Sequence, residues 1–192
     1  EERITIVAID EKSLNSIGPW PWSRDQMAQL ANSINDAGAQ FQIHDIVYPE
    51  GFGAVDQPLA AALAGNGLIA QLPLVGDNTE QIRSGQLTHP LGGISCTETQ
   101  FLPQSTNFIG TSEVLVGVPK GHIAPKIDAD GAIRKIPSAV CIEGLAYPAL
   151  AVSPFLQIAG GSSDWSASIN AGEGLLSPQR IMTIDSFPGL EI

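Results

Sequence analysis

The stretch that decides the fold is Ile4–Val47, which reads ITIVAIDEKSLNSIGPWPWSRDQMAQLANSINDAGAQFQIHDIV. Its first apolar run, Ile4–Ile9, is rich in β-branched residues and predicts a strand that is covered on both faces. A Pro-Trp-Pro-Trp turn and a helical segment follow, and Phe41–Val47 forms a second apolar run. This order predicts a parallel β-α-β unit with an acidic residue, Asp10 and Asp45, at the end of each strand.

The sequence predicts both ends of the helix inside this unit. Ser23 followed three residues later by Gln26 is a capping-box pattern, which predicts the N-terminus. Gly38 stands where a helix C-cap is expected. The apolar residues between them recur at the spacing of one helix face: Met27, Leu30, Ala31 and Ile34.

The rest of the chain predicts further strands and helices around the same sheet. Asp56 is placed to cap a short helix, and Leu68–Val75 reads as a third strand. Residues 76–106 have little periodicity and predict a long loop, and Ile127–Ile142 predicts a hairpin. A helix is predicted at 148–159, and short strands at 166–169 and 180–184. We therefore expect an α/β fold with a mostly parallel central sheet, helices on both faces and a hairpin-rich second half, in one domain spanning 1–192.

Composition excludes some classes of partner. The 192-residue chain is 43% hydrophobic, which is enough to build a core. Twenty acidic residues against nine basic ones give a net charge of -11. Such a charge repels phosphate backbones and anionic lipid surfaces, so we expect no nucleic-acid partner. No apolar run reaches the roughly 18–20 residues that are needed to span a bilayer.

Several segments resemble the CHASE type-2 family of extracytoplasmic sensor domains. The matching segments, in order along the first 155 residues or so, are IVAIDEKSLNSIGPWPWSRDQMAQL, AGAQFQIHDIVYPE, DQPLAAAL, IDADGAIRKIP and LAYPALAVS. Two features depart from the family pattern. His44 replaces an aromatic or small residue before the second aspartate, and residues 76–106 match nothing in the family. Family members also continue beyond the position of Asp185, so we expect the closing part of the domain to be truncated or divergent.

The resemblance implies a non-catalytic input module of a bacterial membrane receptor. Its location would be the periplasmic side of the cell membrane, with membrane helices before and after it in the parent protein. The output would be an adenylate cyclase, a histidine kinase or a diguanylate cyclase-like domain, and the full receptor would be a homodimer. The resemblance supplies no cofactor, and the ligand would be an unassigned small molecule or ion.

The two strand-end carboxylates are the first candidate site. In open α/β sheets, ligands bind at the carboxyl ends of the strands, so Asp10 and Asp45 are placed to bind a small polar ligand. A hard cation held by the same two carboxylates is a weaker alternative. Equally, each aspartate can cap or pair locally.

Three residues of the following turn extend this candidate site. Trp20, Trp22 and Arg24 offer two aromatic faces and a guanidinium, which suit the wall of a ligand pocket. Alternatively, the turn has only a packing role and holds the helix against the sheet. Arg24 is expected to pair with Asp10 or Asp45, which would argue against a metal.

Other polar clusters have simpler explanations. Asp128–Gly131 fails the EF-hand pattern, because Ala139 stands where a bidentate glutamate is required, so it predicts a hairpin turn. Arg134 on the returning strand is then expected to pair with Asp130. The histidines, His44, His89 and His122, match no zinc spacing. His44 adjoins Asp45, and its side chain should point to the opposite face of the strand.

Cys96 and Cys141 are either two buried thiols or one disulfide, and the exported location favours the disulfide. Nucleophile-elbow, phosphate-loop and dinucleotide-binding motifs are absent from the sequence. Two alternatives to a sensor stay open. One is a secreted hydrolase-like enzyme, and the other is an adhesion or interaction domain without a small-molecule pocket.

Overall fold

The computed structural model describes residues 4–49, 53–76, 81–99, 102–160, 165–171 and 180–184. The helices are α1 (Glu11–Ile17), α2 (Arg24–Asp36), α3 (Gln57–Ala62) and α4 (Ser153–Gly160), with 3-10 turns η1 (Gly53–Asp56) and η2 (Glu113–Leu115). The strands are β1 (Gln42–Val47), β2 (Gly67–Pro73), β3 (Arg83–Ser84), β4 (Gln104–Ser105), β5 (Phe108–Ile109), β6 (Lys120–His122), β7 (Lys126–Ile127), β8 (Ile133–Lys135), β9 (Ala139–Ile142), β10 (Leu145–Pro148), β11 (Ala167–Ala171) and β12 (Arg180–Ile184).

The central sheet is mixed. Strand β2 is its middle, and it pairs in parallel with β1 on one side and with β6 on the other. Beyond the end of β1, β2 pairs antiparallel with β5, and β3 joins β5 in parallel. The α/β class is confirmed, but the expectation of a mostly parallel central sheet is not, because β2 also pairs antiparallel with β5. Most pairs in the remaining sheets are antiparallel as well.

The strand that the sequence predicts at Ile4–Ile9 does not form. These residues have no regular secondary structure, and residues 4–8 are exposed to solvent. No strand among the described residues pairs with them, and without a partner an apolar run cannot hold β geometry. The first of the two predicted parallel strands is therefore wrong, whereas the second is confirmed as β1 and the third as β2.

Local signals set the helices. The capping box at Ser23 and Gln26 is present, and Gly38 adopts the positive φ of 85° that a helix end requires. Helix α4 begins at Ser153, later than the prediction, and Pro154 lies in its first turn. Proline is tolerated there because the first-turn N–H groups have no partner within the helix.

The second half follows the predicted pattern with one difference. The turn at Asp128–Gly131 joins β7 to β8, and Arg134 pairs with Asp130 at 2.9 Å, as expected. Residues 139–142 do not belong to this hairpin but form β9, which pairs with β10. The loop predicted at 76–106 contains the short strands β3 and β4, although residues 77–80 and 100–101 lie outside the described residues.

Two main clusters of buried side chains form the core. The first packs α2 and α3 onto one face of the sheet, and its buried members are Trp22, Met27, Ala28, Ala31, Tyr48, Leu59, Ala62, Leu63, Ile69, Leu115 and Val118. The second lies in the later part of the chain and contains Leu91, Cys96, Cys141, Leu156 and Trp165 among others. Smaller clusters cover the opposite face of the sheet, where Leu150 packs on Leu68 and Ala70.

Cys96 and Cys141 form a disulfide that lies in the second cluster. It spans 45 residues of sequence and joins the segment before β4 to strand β9. A crosslink over a loop of this length restricts the conformations of the unfolded chain. Such a crosslink typically stabilises the folded protein by about 2–4 kcal/mol.

Strand β6 and the start of α4 approach each other at Gly121. A Cβ on Gly121 would overlap Leu150 Cα and Ser153 Oγ, whereas one on Gly117 would meet nothing within 4 Å. We expect Gly121→Ala to lower the free energy of unfolding by ~2 kcal/mol or more, because the backbone of Leu150 cannot move aside freely. Gly117→Ala is the matched control and should stay within ~0.5 kcal/mol of the parent chain. Urea denaturation measures both, and equal stabilities would contradict the packing of β6 on α4.

Removing the disulfide tests the second cluster. The double variant Cys96→Ala, Cys141→Ala should lose about 2–4 kcal/mol of unfolding free energy. Reductant should destabilise the parent chain and leave the double variant unchanged. Thiol titration of the unfolded parent chain without reductant should find no reactive group, and two reactive thiols would show that the bridge is absent.

Candidate functional site

Asp10 lies at the start of α1, and its carboxylate is engaged locally. Oδ1 accepts hydrogen bonds from the backbone N and the Oγ of Ser13, at 2.9 and 2.8 Å. The hydrogen bond from the backbone N of Ser13 contributes most, and the bond from its hydroxyl next, to holding the pKa of Asp10 below its usual value. The side chain of Asp10 is exposed. Asp10 is therefore the N-cap of α1, which is one of the two alternatives that the sequence left open.

The two tryptophans of the turn have different environments. Trp22 is buried against α2, and its Nε1 donates to the carbonyl of Gly18 at 2.9 Å. Trp20 is exposed and meets Trp22 edge-on, with ring centroids 6.0 Å apart. Trp22 thus holds the turn in the core, and Trp20 is the aromatic face that solvent can reach.

Arg24 is buried at the first position of α2. Its Nε donates to Oδ1 of Asp56 at 2.6 Å, and a terminal guanidinium nitrogen donates to the carbonyl of Pro49 at 3.2 Å. The guanidinium also lies over the ring of Tyr48, 4.8 Å from its centroid. The expected ion pair of Arg24 with Asp10 or Asp45 is wrong, because Asp56 reaches Arg24 from the start of α3.

Asp45 and His44 project from opposite faces of β1, as their alternation predicts. Asp45 is exposed, whereas His44 is buried under α2. The His44 Nδ1 lies 2.8 Å from the hydroxyl of Tyr48, and its Nε2 lies 3.1 Å from Oε1 of Gln42. Burial lowers the pKa of His44 to about 4, so the imidazole is neutral at pH 7.

Five buried side chains form one connected group, which we call the carboxyl-edge cluster: Arg24, Gln42, His44, Tyr48 and Asp56. It runs along β1 to the residue after its carboxyl end, the edge where ligands bind in open α/β sheets. Burial also raises the pKa of Tyr48. The sequence singled out only Arg24 and His44. Asp56 was assigned as a helix cap, but its side chain makes no cap hydrogen bond.

Three buried polar atoms, one in η1 and two in the residues just before η2, make no hydrogen bond within the described chain. They are Oδ2 of Asp56, Oγ1 of Thr111 and Oγ of Ser112. The turns η1 and η2 lie against each other, so they bring Asp56 close to the segment that begins at Ser112. Native structures rarely leave buried polar atoms unpaired, and such atoms indicate water, an ion or a ligand.

A second buried polar group lies on β6. The Nζ of Lys120 donates to the carbonyls of Leu115, Val116 and Val118, at 2.6, 3.2 and 2.8 Å. These carbonyls belong to the last residue of η2 and to two residues after it, so Lys120 closes the end of that turn. Burial lowers the pKa of Lys120 to about 7.

The other two histidines lie close to Lys120. His122 Nδ1 accepts from the backbone N of Ala124 at 3.2 Å, so Nε2 carries the proton and has no partner among the described residues. His89 adopts a positive φ of 60°, and its ring lies 5.2 Å from that of Trp165. Burial lowers the pKa of each histidine to about 4, and the charge of Lys120 adds to the effect at His89.

An open cavity of about 500 Å³ lies at the end of β2. Its lining residues are Leu74, Gly76, Gln104, Ser105, Thr106, Asn107, Glu143 and Gly144. Glu143 at its margin pairs with Arg83 at 2.7 Å. None of the five predicted site residues lines this cavity, so the predicted site and the described cavity are separate places.

The structure brings together only part of the predicted set. Trp20, Trp22 and Arg24 share the turn and the first residue of α2, with Trp22 and Arg24 buried. No hydrogen bond or ion pair within the described chain joins the carboxylates of Asp10 and Asp45. The described residues contain no group of three or more His, Cys, Asp or Glu side chains placed to hold a metal ion.

Comparison with known proteins gives one match. The protein-family model described as "CHASE2 domain" matches residues 1–187 of the chain. No curated protein and no solved structure matches it. Of the helices that the structure describes, none combines the length and the apolar character that crossing a bilayer requires.

The buried neutral histidines predict acid sensitivity. A histidine with a pKa of about 4 in the folded chain and 6.5 in the unfolded chain makes unfolding take up a proton between these values. Stability is therefore complete above pH 6.5 and falls as the pH drops to 4, by up to ~3 kcal/mol for each such group. His122→Asn, which keeps an acceptor for the N–H of Ala124, should flatten this part of the curve. The measurement is the free energy of unfolding against pH, and an unchanged slope in the variant would contradict the assignment.

Proposed function

We propose that this chain, which belongs to the CHASE2 family of sensory extracellular domains, is the ligand-binding input module of a bacterial membrane receptor. The family is sensory and not catalytic, and its domains lie outside the cytoplasm. The finer assignment is periplasmic: the module faces that compartment and passes a binding signal through membrane helices to a cytoplasmic output. A cyclase, a histidine kinase or a diguanylate cyclase-like domain would serve as that output.

One observation carries the ligand-binding part of this proposal. Asp56 is completely buried, one carboxylate oxygen is bonded to Arg24, and the other has no hydrogen-bond partner among the described residues. A buried carboxylate oxygen without a donor is unfavourable, and a ligand N–H or O–H would satisfy it. The hydroxyl of Ser112 offers a second contact of the same kind. We therefore propose a small polar ligand that carries hydrogen-bond donors.

The five residues predicted from the sequence have different roles in this proposal. Trp22 and Arg24 are buried and hold the wall of the site. Asp10, Trp20 and Asp45 are exposed, and a ligand arriving from solvent would meet them first. Because Asp45 projects from the face of β1 opposite His44, it would act at the edge of the sheet and not inside the carboxyl-edge cluster. An ion bound by Asp10 and Asp45 is the weaker form of the proposal.

Signalling would follow from differential affinity. Arg24 and Asp56 connect α2, the residues after β1 and the start of α3, so a ligand at this point contacts three elements at once. A ligand that binds one arrangement of these elements more tightly shifts the population toward it. The shift cannot exceed the difference between the two binding free energies.

A hydrolase would need a nucleophile beside a general base, and the described residues show no such pair at the candidate site. The family is also sensory. The interaction alternative has a specific observation in its favour, the exposed apolar segment at Ile4–Ile9. That segment is apolar and exposed, whereas the carboxyl-edge cluster is polar and buried. One domain can therefore carry both a ligand site and an interaction surface.

A thermal-shift screen of ions, amino acids and small organic acids tests the proposal. A compound that binds the folded chain at 100 times its Kd stabilises it by about 2.7 kcal/mol and raises its Tm. Ser112→Ala should reduce the shift, because it removes one of the two proposed ligand contacts, and Asp45→Asn should reduce it as well. Asp25→Asn, an exposed carboxylate in the first turn of α2, is the matched control and should leave the shift unchanged.

Two outcomes would count against the proposal. One is a panel in which no compound raises the Tm of the parent chain. The other is a ligand-induced shift that survives in both Ser112→Ala and Asp45→Asn. A decrease in the Tm of the unliganded Ser112→Ala variant would be scored separately from its ligand response.

A further inference from the structure

The open cavity at the end of β2 shares no residue with the carboxyl-edge cluster and has the size of a small-molecule site. Its volume is about 500 Å³, within the range of about 300–1,000 Å³ that is usual for ligand pockets. It is lined by residues that follow β2, by β4 and the residues between β4 and β5, and by the turn between β9 and β10. Of the lining residues that the structure describes, only Leu74 has a large apolar side chain, so the cavity suits a polar ligand.

Arg83 on strand β3 connects two parts of this lining. Its Nε donates to the carbonyl of Thr106 at 2.9 Å, and a terminal guanidinium nitrogen pairs with Glu143 at 2.7 Å. Within the lining, the hydroxyl of Ser105 donates to the carbonyl of Leu74 at 2.7 Å. These contacts hold the lining in place before a ligand arrives, and a site that is already formed loses less entropy on binding.

The glutamate of the lining has an uncommon backbone conformation. Glu143 and Gly144 form the two-residue turn between β9 and β10, with positive φ angles of 52° and 84°. Glycine and asparagine adopt this conformation readily, whereas glutamate is strained in it. Residues that are held in such conformations cluster at ligand-binding sites. Here the long side chain of Glu143 reaches Arg83 at the margin of the cavity, which the shorter asparagine side chain would not do.

Three side chains of the lining carry hydrogen-bonding atoms that have no partner within the described part of the chain. They are the amide oxygen of Gln104, the hydroxyl of Thr106 and the second carboxylate oxygen of Glu143. Two of these atoms only accept a hydrogen bond, whereas the hydroxyl both donates and accepts. A matching ligand must therefore donate and accept as well. Alcohol hydroxyls do both, whereas an ammonium group only donates and a carboxylate only accepts.

The charge of the lining is balanced. Among the lining residues that the structure describes, Glu143 alone is ionisable, and Arg83 offsets its charge. A charged ligand would find no further counter-charge in this lining, and taking an unpaired charge out of water is unfavourable. The net charge of -11 attracts cations to the surface as a whole, but salt screens that attraction beyond about 8 Å. The lining therefore favours a neutral ligand.

We propose that this cavity binds a neutral polyhydroxylated molecule of the size and class of a hexose sugar. Two of its hydroxyls donate hydrogen bonds to Gln104 and Glu143, and a third exchanges a hydrogen bond with Thr106. The polar lining, the balanced charge and the mixture of donors and acceptors each select this class over amines, organic acids and metal ions. The site does not depend on a ligand at Asp56 and Ser112, so the failure of either proposal leaves the other standing.

Titration of the isotope-labelled chain, followed by nuclear magnetic resonance, tests the class of ligand. The probes are glucose, galactose and mannose, each with its amino-sugar and uronic-acid counterpart. We expect a neutral sugar to shift the amide resonances of lining residues such as Gln104 and Thr106. It should bind about tenfold or more tightly than its two charged counterparts, because an unpaired charge loses its hydration. No shift at the lining with any neutral sugar, or tighter binding of a charged counterpart, would overturn the proposal.

Two variants of the lining separate binding from folding. Glu143→Asn should keep or raise the Tm, because asparagine suits the turn, and should weaken sugar binding about tenfold or more, because a hydrogen bond to a charged group is lost. Thr106→Val keeps the shape of an exposed side chain, removes its hydroxyl and should also weaken binding.

Two further variants serve as controls for the cavity. Glu11→Asn, which changes an exposed carboxylate on α1, and Ser112→Ala, which changes the other proposed site, should bind the sugar like the parent chain. Affinity equal to that of the parent chain in both Glu143→Asn and Thr106→Val would overturn the proposal. So would a loss of sugar binding in Ser112→Ala, because it would place the sugar at the other site.

Discussion

The buried ion pair between Arg24 and Asp56 connects the elements on which the candidate site depends. Arg24 begins α2, Asp56 immediately precedes α3, and the carbonyl of Pro49 follows β1. Removing one member of such a pair leaves an uncompensated buried charge and typically costs about 3–5 kcal/mol. The pair therefore holds two helices at the carboxyl end of β1. Only one of the two carboxylate oxygens of Asp56 takes part in this pair.

The helix-covered face of the sheet is polar to an unusual degree. In β1, β2 and β6, the buried side chains on this face include Gln42, His44, Gln71, Lys120 and His122. Most of them are paired internally; for example, Gln71 exchanges two hydrogen bonds with the backbone of Thr88. A fully satisfied polar network makes a core specific, whereas an unsatisfied atom in it is costly. The unpaired atoms of Asp56, Thr111, Ser112, His122 and Gln157 are therefore positions where a water, an ion or a ligand would satisfy a buried polar group.

Much of the local structure followed from the sequence. The capping box at Ser23, the strands β1 and β2 and the turn at Asp128–Gly131 each depend on residues close together in the chain. The alternation of His44 and Asp45 followed from strand geometry alone. The site was harder to predict. Trp22 is held by Gly18, a neighbour along the chain, but the partner of Arg24 is Asp56, 32 residues away. Choosing Asp56 over Asp10 and Asp45 required the position of α3 relative to α2, which no pattern of single residues encodes.

By itself the sequence determined the α/β class, most of the helices and strands, the resemblance to a sensory family and the acidic net charge. These properties depend on periodicity, capping and composition, which are local or additive. The tertiary structure alone decided that Arg24 pairs with Asp56 and not with Asp10 or Asp45, and that no strand among the described residues pairs with Ile4–Ile9. The physical reason is that an ion pair or a β-ladder needs two partners that tertiary folding brings together. A local sequence pattern identifies each partner separately but does not say which two will meet.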